Sequence, residues 1–128
     1  MILVFGAILG FISIAFGAYS EHVLKYIVTP ESFNSLLKAL QYNQLYSILI
    51  SAIGLTLLKN TKLRGISILR SSGVLFIIGT IMFSFSIYFA ILLHLPYLTK
   101  ITPFGGILIM ISWLFLFVSG IYSFFSKR

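Results

Sequence analysis

Four long apolar runs fill most of this chain, Ile2 to Ala18, Leu45 to Leu58, Val74 to Leu93 and Phe104 to Phe124, and no Asp, Glu, Lys, Arg or His falls inside any of them. A hydrocarbon slab about 30 Å thick takes about 20 residues of helix to cross. Two of the runs reach that length and the first falls just short. Each central Leu, Ile, Phe or Val favours insertion by roughly 0.3 to 0.6 kcal/mol, whereas one central Lys, Arg or Asp costs roughly 2.5 to 3.5 kcal/mol. The expectation is an all-α fold: a four-span transmembrane helical bundle in one domain, residues 1–128, with spans at about 2–19, 42–58, 73–94 and 103–124. A hydrophobic content of 59% is more than a soluble fold of this size hides.

The net charge of +7 does not point to nucleic acid, because the basic residues sit in short segments between apolar runs and form no patch with interleaved aromatics. Their distribution predicts orientation instead. Lys59, Lys62, Arg64 and Arg70 follow the second run and Lys127 and Arg128 end the chain, while Lys25, Lys38 and Lys100 share the other side with Glu21 and Glu31. Cytoplasmic loops keep the excess of Lys and Arg, so both termini are expected in the cytoplasm. The first run lacks the basic n-region of a signal peptide, its first Lys being Lys25, and is expected to be a retained helix. There is no cysteine, so disulfides and thiolate chemistry are excluded.

The connection from Tyr19 to Gln41 carries a helix start. Thr29 offers a hydroxyl to an orphan N–H, and Pro30 suits the first helical position, where its missing donor is not needed. Phe33, Leu36, Leu37 and Leu40 then recur at helical spacing opposite Glu31, Asn34, Ser35, Lys38 and Gln41. The pattern predicts an amphipathic interfacial helix at about 30–41, running on into the second span. Thr102 and Pro103 repeat the same start before the fourth.

Several constellations could carry function. Gly6, Gly10, Ser13 and Gly17 put small side chains on one face of the first span, as packing within the bundle or a homo-oligomer interface requires. Thr80, Ser84 and Tyr88, at i, i+4 and i+8, align three hydroxyls, for interhelical pairing or a polar path. Trp113 lies mid-span, where its N–H calls for an acceptor on another helix. Gly105 and Gly106 expose backbone in the first turn of the fourth span, where a lipid phosphate would meet the positive helix end. His22 with Glu21 or Tyr42 would suit interfacial acid–base work, although their spacing matches no motif. Nothing in the spacing calls for a metal or cofactor.

Ile101, Thr102, Pro103, Phe104, Gly105 and Gly106, with Trp113 downstream, resemble the TPxGG-and-Trp signature of the YgdD-like membrane proteins, the domain-of-unknown-function family 423. Ala15, Gly17, Ala18, His22, Leu24 and Lys25 resemble that family's GAFGAH and LK elements. Tyr42 is similar to the tyrosine opening its second span, and Phe83, Ser84, Ser86 and Tyr88 to its FSGSLY element. Tyr19, Ser20 and Glu21 depart from the usual Phe, Gly and Ala; Tyr46 stands where a second histidine is common, and Phe85 where glycine is. The resemblance implies a small multi-span membrane protein without an established activity. The leading expectation is non-enzymatic action through helix packing with membrane lipid, another copy or a membrane-protein partner, with His22, Tyr42, Thr80, Ser84, Tyr88, Thr102, Gly105 and Gly106 as contacts. A small transporter or channel is the alternative, weakened by the lack of an acidic residue inside the membrane.

Overall fold

The computed structural model describes residues 1–60, 62 and 65–126, and these contain helices and turns but no strand. Helix α1 spans Ile2–His22 and is followed by a 3-10 turn at Leu24–Tyr26. Helix α2 spans Pro30–Lys59, and α3 spans Ile66–Thr80. A π-helical turn, Ile81–Phe85, carries α3 into α4, Ser86–Leu92; a second 3-10 turn, Pro96–Lys100, leads to α5, Thr102–Ser126. Arg64, Lys127 and Arg128, three of the basic residues that predict orientation, lie outside the described residues.

Among the described residues, three segments are long and apolar enough to cross a membrane: Ile2–Tyr26, Ile66–Leu92 and Pro96–Phe125. Helix α2 is not among them, although it is the longest. Its apolar run is diluted by Lys38, Gln41, Asn43 and Gln44. The amphipathic stretch and the second span form one unbroken helix of 30 residues, starting where Thr29 Oγ1 accepts from the Ser32 N–H at 3.2 Å. At about 1.5 Å per residue that is about 45 Å.

Residues 30–41 are the first turns of α2, and their apolar side packs against the bundle. Leu36, Leu40, Asn43, Ser47, Ile50 and Gly54 are all buried, and they recur at spacings of four and three, so a single stripe faces inward from the second turn onward. No glycine or second proline interrupts the helix before Gly54 to let it bend away. Leu36, Ala39 and Leu40 pack with Leu24, Ile87 and Tyr88 in one core cluster. Tyr46, Ile50 and Ile53 continue into a second with Ile2, Leu9, Phe76, Ile77 and Ile109.

Helices α1 and α2, and α3 and α5, run antiparallel. A Cβ on Gly54 would lie 2.6 Å from Leu3 N, Gly10 faces Ser47 and Gly17 faces Leu40, so α1 descends as α2 ascends. Ser72 bonds Ser112 and Gly79 meets Gly105, so α3 and α5 are opposed in the same way. The bundle does not close into a square. Helices α2 and α3 are central, α1 lies against both on one flank, and α5 packs on α3 and the π turn on the other. Met1, Lys59, Lys62 and the start of α3 lie at one end; His22, Thr29, His94 and Thr102 lie at the other.

Candidate functional site

Polar side chains inside the helical layer are hydrogen-bonded to one another and to the α2 backbone. Asn43 and Tyr88 are both buried, and Asn43 Nδ2 donates to the Tyr88 hydroxyl at 3.0 Å. Tyr88 donates onward to the Ala39 carbonyl at 3.4 Å, which also accepts from Ser84 Oγ at 2.8 Å. Ser47 Oγ donates to the Asn43 carbonyl and also approaches Asn43 Oδ1 at 3.3 Å. Ala39 therefore serves two hydroxyls from the neighbouring helix as well as its own ladder. A buried polar group left unpaired costs about 1–3 kcal/mol, so this network fixes the register of α2 against α4.

Thr80, Ser84 and Tyr88 all reach the interior, but they do not form a chain of hydroxyls. Ser84 and Tyr88 turn to α2, while Thr80 Oγ1 is the only buried side-chain polar atom among the described residues without a partner. The π turn between them explains the split: its extra residue per turn rotates Ser84 and Tyr88 relative to Thr80. Ser86 shares a hydrogen bond of 2.5 Å with Thr102 Oγ1, tying α4 to the first residue of α5.

Gly105 corrects the idea of an open phosphate seat. A Cβ there would fall 2.5 Å from Phe83 N and 2.8 Å from the Gly79 carbonyl, so the bare backbone admits the π turn and α3 instead of a lipid. The N–H groups of Phe104 and Gly105 already donate to the Ile101 carbonyl, at 3.1 and 3.2 Å. Gly106 faces only the Phe83 ring, at 3.9 Å. The small face of α1 likewise meets this chain's own α2. Gly6 meets Ser51, where a Cβ would lie 2.8 Å from the backbone N, whereas Gly10 and Gly17 make ordinary contacts at 3.7 and 3.9 Å. Ser13 Oγ bonds the Gly10 carbonyl in its own helix.

His22, Glu21 and Tyr42 do not come together. Glu21 pairs with Lys25 at 3.8 Å, both half-exposed. Tyr42 lies against Tyr46 and Phe83, with ring centroids 6.0 and 4.7 Å away. Because Gly17 faces Leu40, helical rise sets His22 and Tyr42 roughly 10 Å apart along the axis, beyond hydrogen-bond reach. Tyr46 is farther still. Its ring stacks on Phe76 with centroids 5.4 Å apart, and its hydroxyl accepts from Trp113 Nε1 at 3.1 Å. Phe85 sets its ring 5.4 Å from that of Tyr88.

A cavity of about 810 Å³ opens at the His94 end, beside the starts of α2 and α5. Phe83, Ile87, Ala90 and Ile91 form its floor, and Thr29, Ser32, Ser35, Thr99, Thr102 and His94 stand around it. His94 holds a left-handed φ of 55°. It comes just after the last residues of α4, and the Leu95 N–H returns to the Ala90 carbonyl at 3.0 Å, a Schellman closure with histidine in the place glycine usually takes.

No sequence motif singled out Asn43, Gly54 or Gly79. The stripe of four-and-three spacing through Leu36, Leu40, Asn43 and Ser47 is the signal that would have found Asn43.

Small size and long apolar helices define a small helical membrane protein. The family described as "Protein of unknown function (DUF423)" matches residues 16–106, and the chain belongs to it. It is 32% identical over 120 residues, 93% of this chain and 88% of the relative, to the UPF0382 inner membrane protein YgdD of Escherichia coli strain K12. A UPF0382 membrane protein of Haemophilus influenzae is 31% identical over 108 residues, covering 84% of this chain and 83% of its own. The Bacillus subtilis UPF0382 membrane protein YwdK is 25% identical over 119 residues, 93% of this chain and 94% of its own. No solved structure matches the chain.

Proposed function

We propose that this protein is a four-crossing resident of a bacterial inner membrane, with both termini in the cytoplasm, which acts through helix packing with lipid or a membrane-protein partner and catalyses no reaction. The observation that carries the reading is the pairing of Asn43, Ser84 and Tyr88 with one another and with Ala39, which leaves no chain of free polar groups along the interior. Helix α2 crosses as the fourth span because α1 and α3 shield its polar stripe from hydrocarbon. Lys59, Lys62 and Arg70 gather at the end that holds Met1, which supports the orientation. The name of the Escherichia coli relative supports the compartment.

Two experiments test this. Reporter fusions after residue 60 and at the C-terminus, one active only in the cytoplasm and one only outside, should both report cytoplasm; opposite sides would refute the even number of crossings. Reconstituted vesicles should show no flux of protons, monovalent cations or a cationic dye above empty controls. The unpartnered Thr80 hydroxyl is the observation that keeps a transporter as second reading. Flux abolished by Thr80→Val would favour it.

A further inference from the structure

The cavity at the His94 end divides into two chemistries. Its floor is an apolar strip, Phe83, Ile87, Ala90 and Ile91, at spacings of four, three and one along the π turn and α4, so all four present one side. By helical rise the strip is about 12 Å long. Ala90 matters most here, because a methyl group in a row of larger side chains leaves the depression. The rest of the lining carries hydroxyls and one imidazole together with the apolar Ile27, Val28, Pro96 and Pro103, and no Asp, Glu, Lys or Arg lines the cavity. Several rim hydroxyls already have an internal partner: Thr29 donates to Ser32 at 3.0 Å, Thr99 to the Pro96 carbonyl at 2.7 Å, and Thr102 shares its bond with Ser86. They retain lone pairs, and Ser32 Oγ retains its proton.

A volume of about 810 Å³ is within the roughly 300–1,000 Å³ typical of small-molecule sites. Water is a poor occupant of the floor, which offers it no hydrogen bond. The charged phosphate of a phospholipid would meet no cation among the lining residues. The fitting chemistry is a single alkyl chain beneath an uncharged head that both donates and accepts hydrogen bonds.

We propose that this groove is a binding site for a single-chain amphiphile with a neutral hydroxylated head, the class represented by long-chain monoacylglycerols and long-chain alcohols, with its chain along Phe83, Ile87, Ala90 and Ile91 and its head at Ser32 and His94. The inference names a lipid class for the packing reading, and depends on it only for the membrane surroundings. It would stand if a conduit were found elsewhere.

The test uses the full chain purified in detergent and a fluorescent long-chain monoacylglycerol as probe. Saturable binding of one probe per chain is expected, displaced by unlabelled monoacylglycerol or long-chain alcohol and not by a diacyl phosphatidylglycerol. Ala90→Phe should fill the depression and weaken binding by about tenfold or more. Ile91→Trp, from a less buried position, repeats the test should the first variant fold poorly by circular dichroism. His94→Gly suits the left-handed backbone and removes the imidazole, so it should weaken the monoacylglycerol more than a plain alkane chain. Ile78→Phe, on an exposed face of α3, should change nothing. Equal displacement by the diacyl lipid, non-saturable uptake, or unchanged affinity in a folded Ala90→Phe or Ile91→Trp protein would overturn the proposal. None of these results bears on flux or topology, so the two readings fail separately.

Discussion

The α1–α2 hairpin and the α3–α5 hairpin solve the same problem with different means. In the first, close approach rests on shape alone: Gly6 admits Ser51, Gly54 admits Leu3, and the serines of α1 bond back to their own helix, Ser13 to Gly10 and Ser20 to Phe16. In the second, a glycine contact is joined by hydrogen bonds between helices. Gly79 meets Gly105, Ser72 Oγ donates to the Ser112 carbonyl at 3.0 Å, and Ser86 shares its bond with Thr102. Lipid supplies no hydrophobic force between helices, so backbone proximity and polar bonds are the available adhesives. The first hairpin uses one and the second uses both. Their tightest points also lie at opposite ends, Gly6 near the Met1 end and Gly105 near the His94 end.

That contrast is open to direct attack, and Gly105→Leu should do the most damage. Its Cβ meets backbone on two sides, so α5 must move, at a cost of about 3 kcal/mol, the upper part of the overpacking range, read from detergent unfolding. Gly106→Ala should stay within about 0.5 kcal/mol, and a comparable loss there would refute the glycine argument. Gly6→Leu should come next at about 2 to 3 kcal/mol, since Ser51 N stands in its way. Tyr88→Phe leaves the buried Asn43 amide without its acceptor and should cost about 1 to 3 kcal/mol, most of it recovered by adding Asn43→Leu. Ser72→Ala should lose about 0.6 kcal/mol, an average interhelical bond in lipid, whereas Ser13→Ala should lose nothing measurable. Equal losses from the two serines would erase the distinction between the hairpins. Smallest of all, Glu21→Gln removes a half-exposed pair with Lys25 and should shift stability by at most about 0.5 kcal/mol.

The chemistry legible in the sequence was the chemistry that acts locally. The start of α2 at Thr29 and Pro30 depends on one hydroxyl and one ring, and both are visible in the letters. Thr102 carries the same letters, yet its hydroxyl turns to Ser86, because a tertiary partner won over the cap. The inward stripe of α2 was harder. Polar residues in a periodic pattern are ordinarily read as outward, but a helix shielded on two sides by others in a membrane turns Asn43 and Ser47 inward. Gly54 and Gly79 were silent for another reason: each is a lone small residue, and only the partner backbone across the gap gives it meaning. The segment Ile81–Phe85 holds neither proline nor glycine, so nothing announced its π turn. The groove is invisible one residue at a time, since it lies between elements far apart in the chain.

The π turn leaves the rod from Ile66 to Leu92 with one residue more than a straight α-helix of the same reach would hold. Upstream, Ser72 and Gly79 address α5; Ser84 within the turn and Tyr88 beyond it address α2. Excising a single residue from Ile81–Phe85 would restore a regular helix and swing everything after it by about 100°. A shortening that changes almost nothing in composition would thus aim Tyr88 away from Asn43 and carry Ala90 off the floor it helps to form. In this chain, angular phase is inherited through residue number, and an indel here would be felt at both ends of the next turn before any side chain had changed.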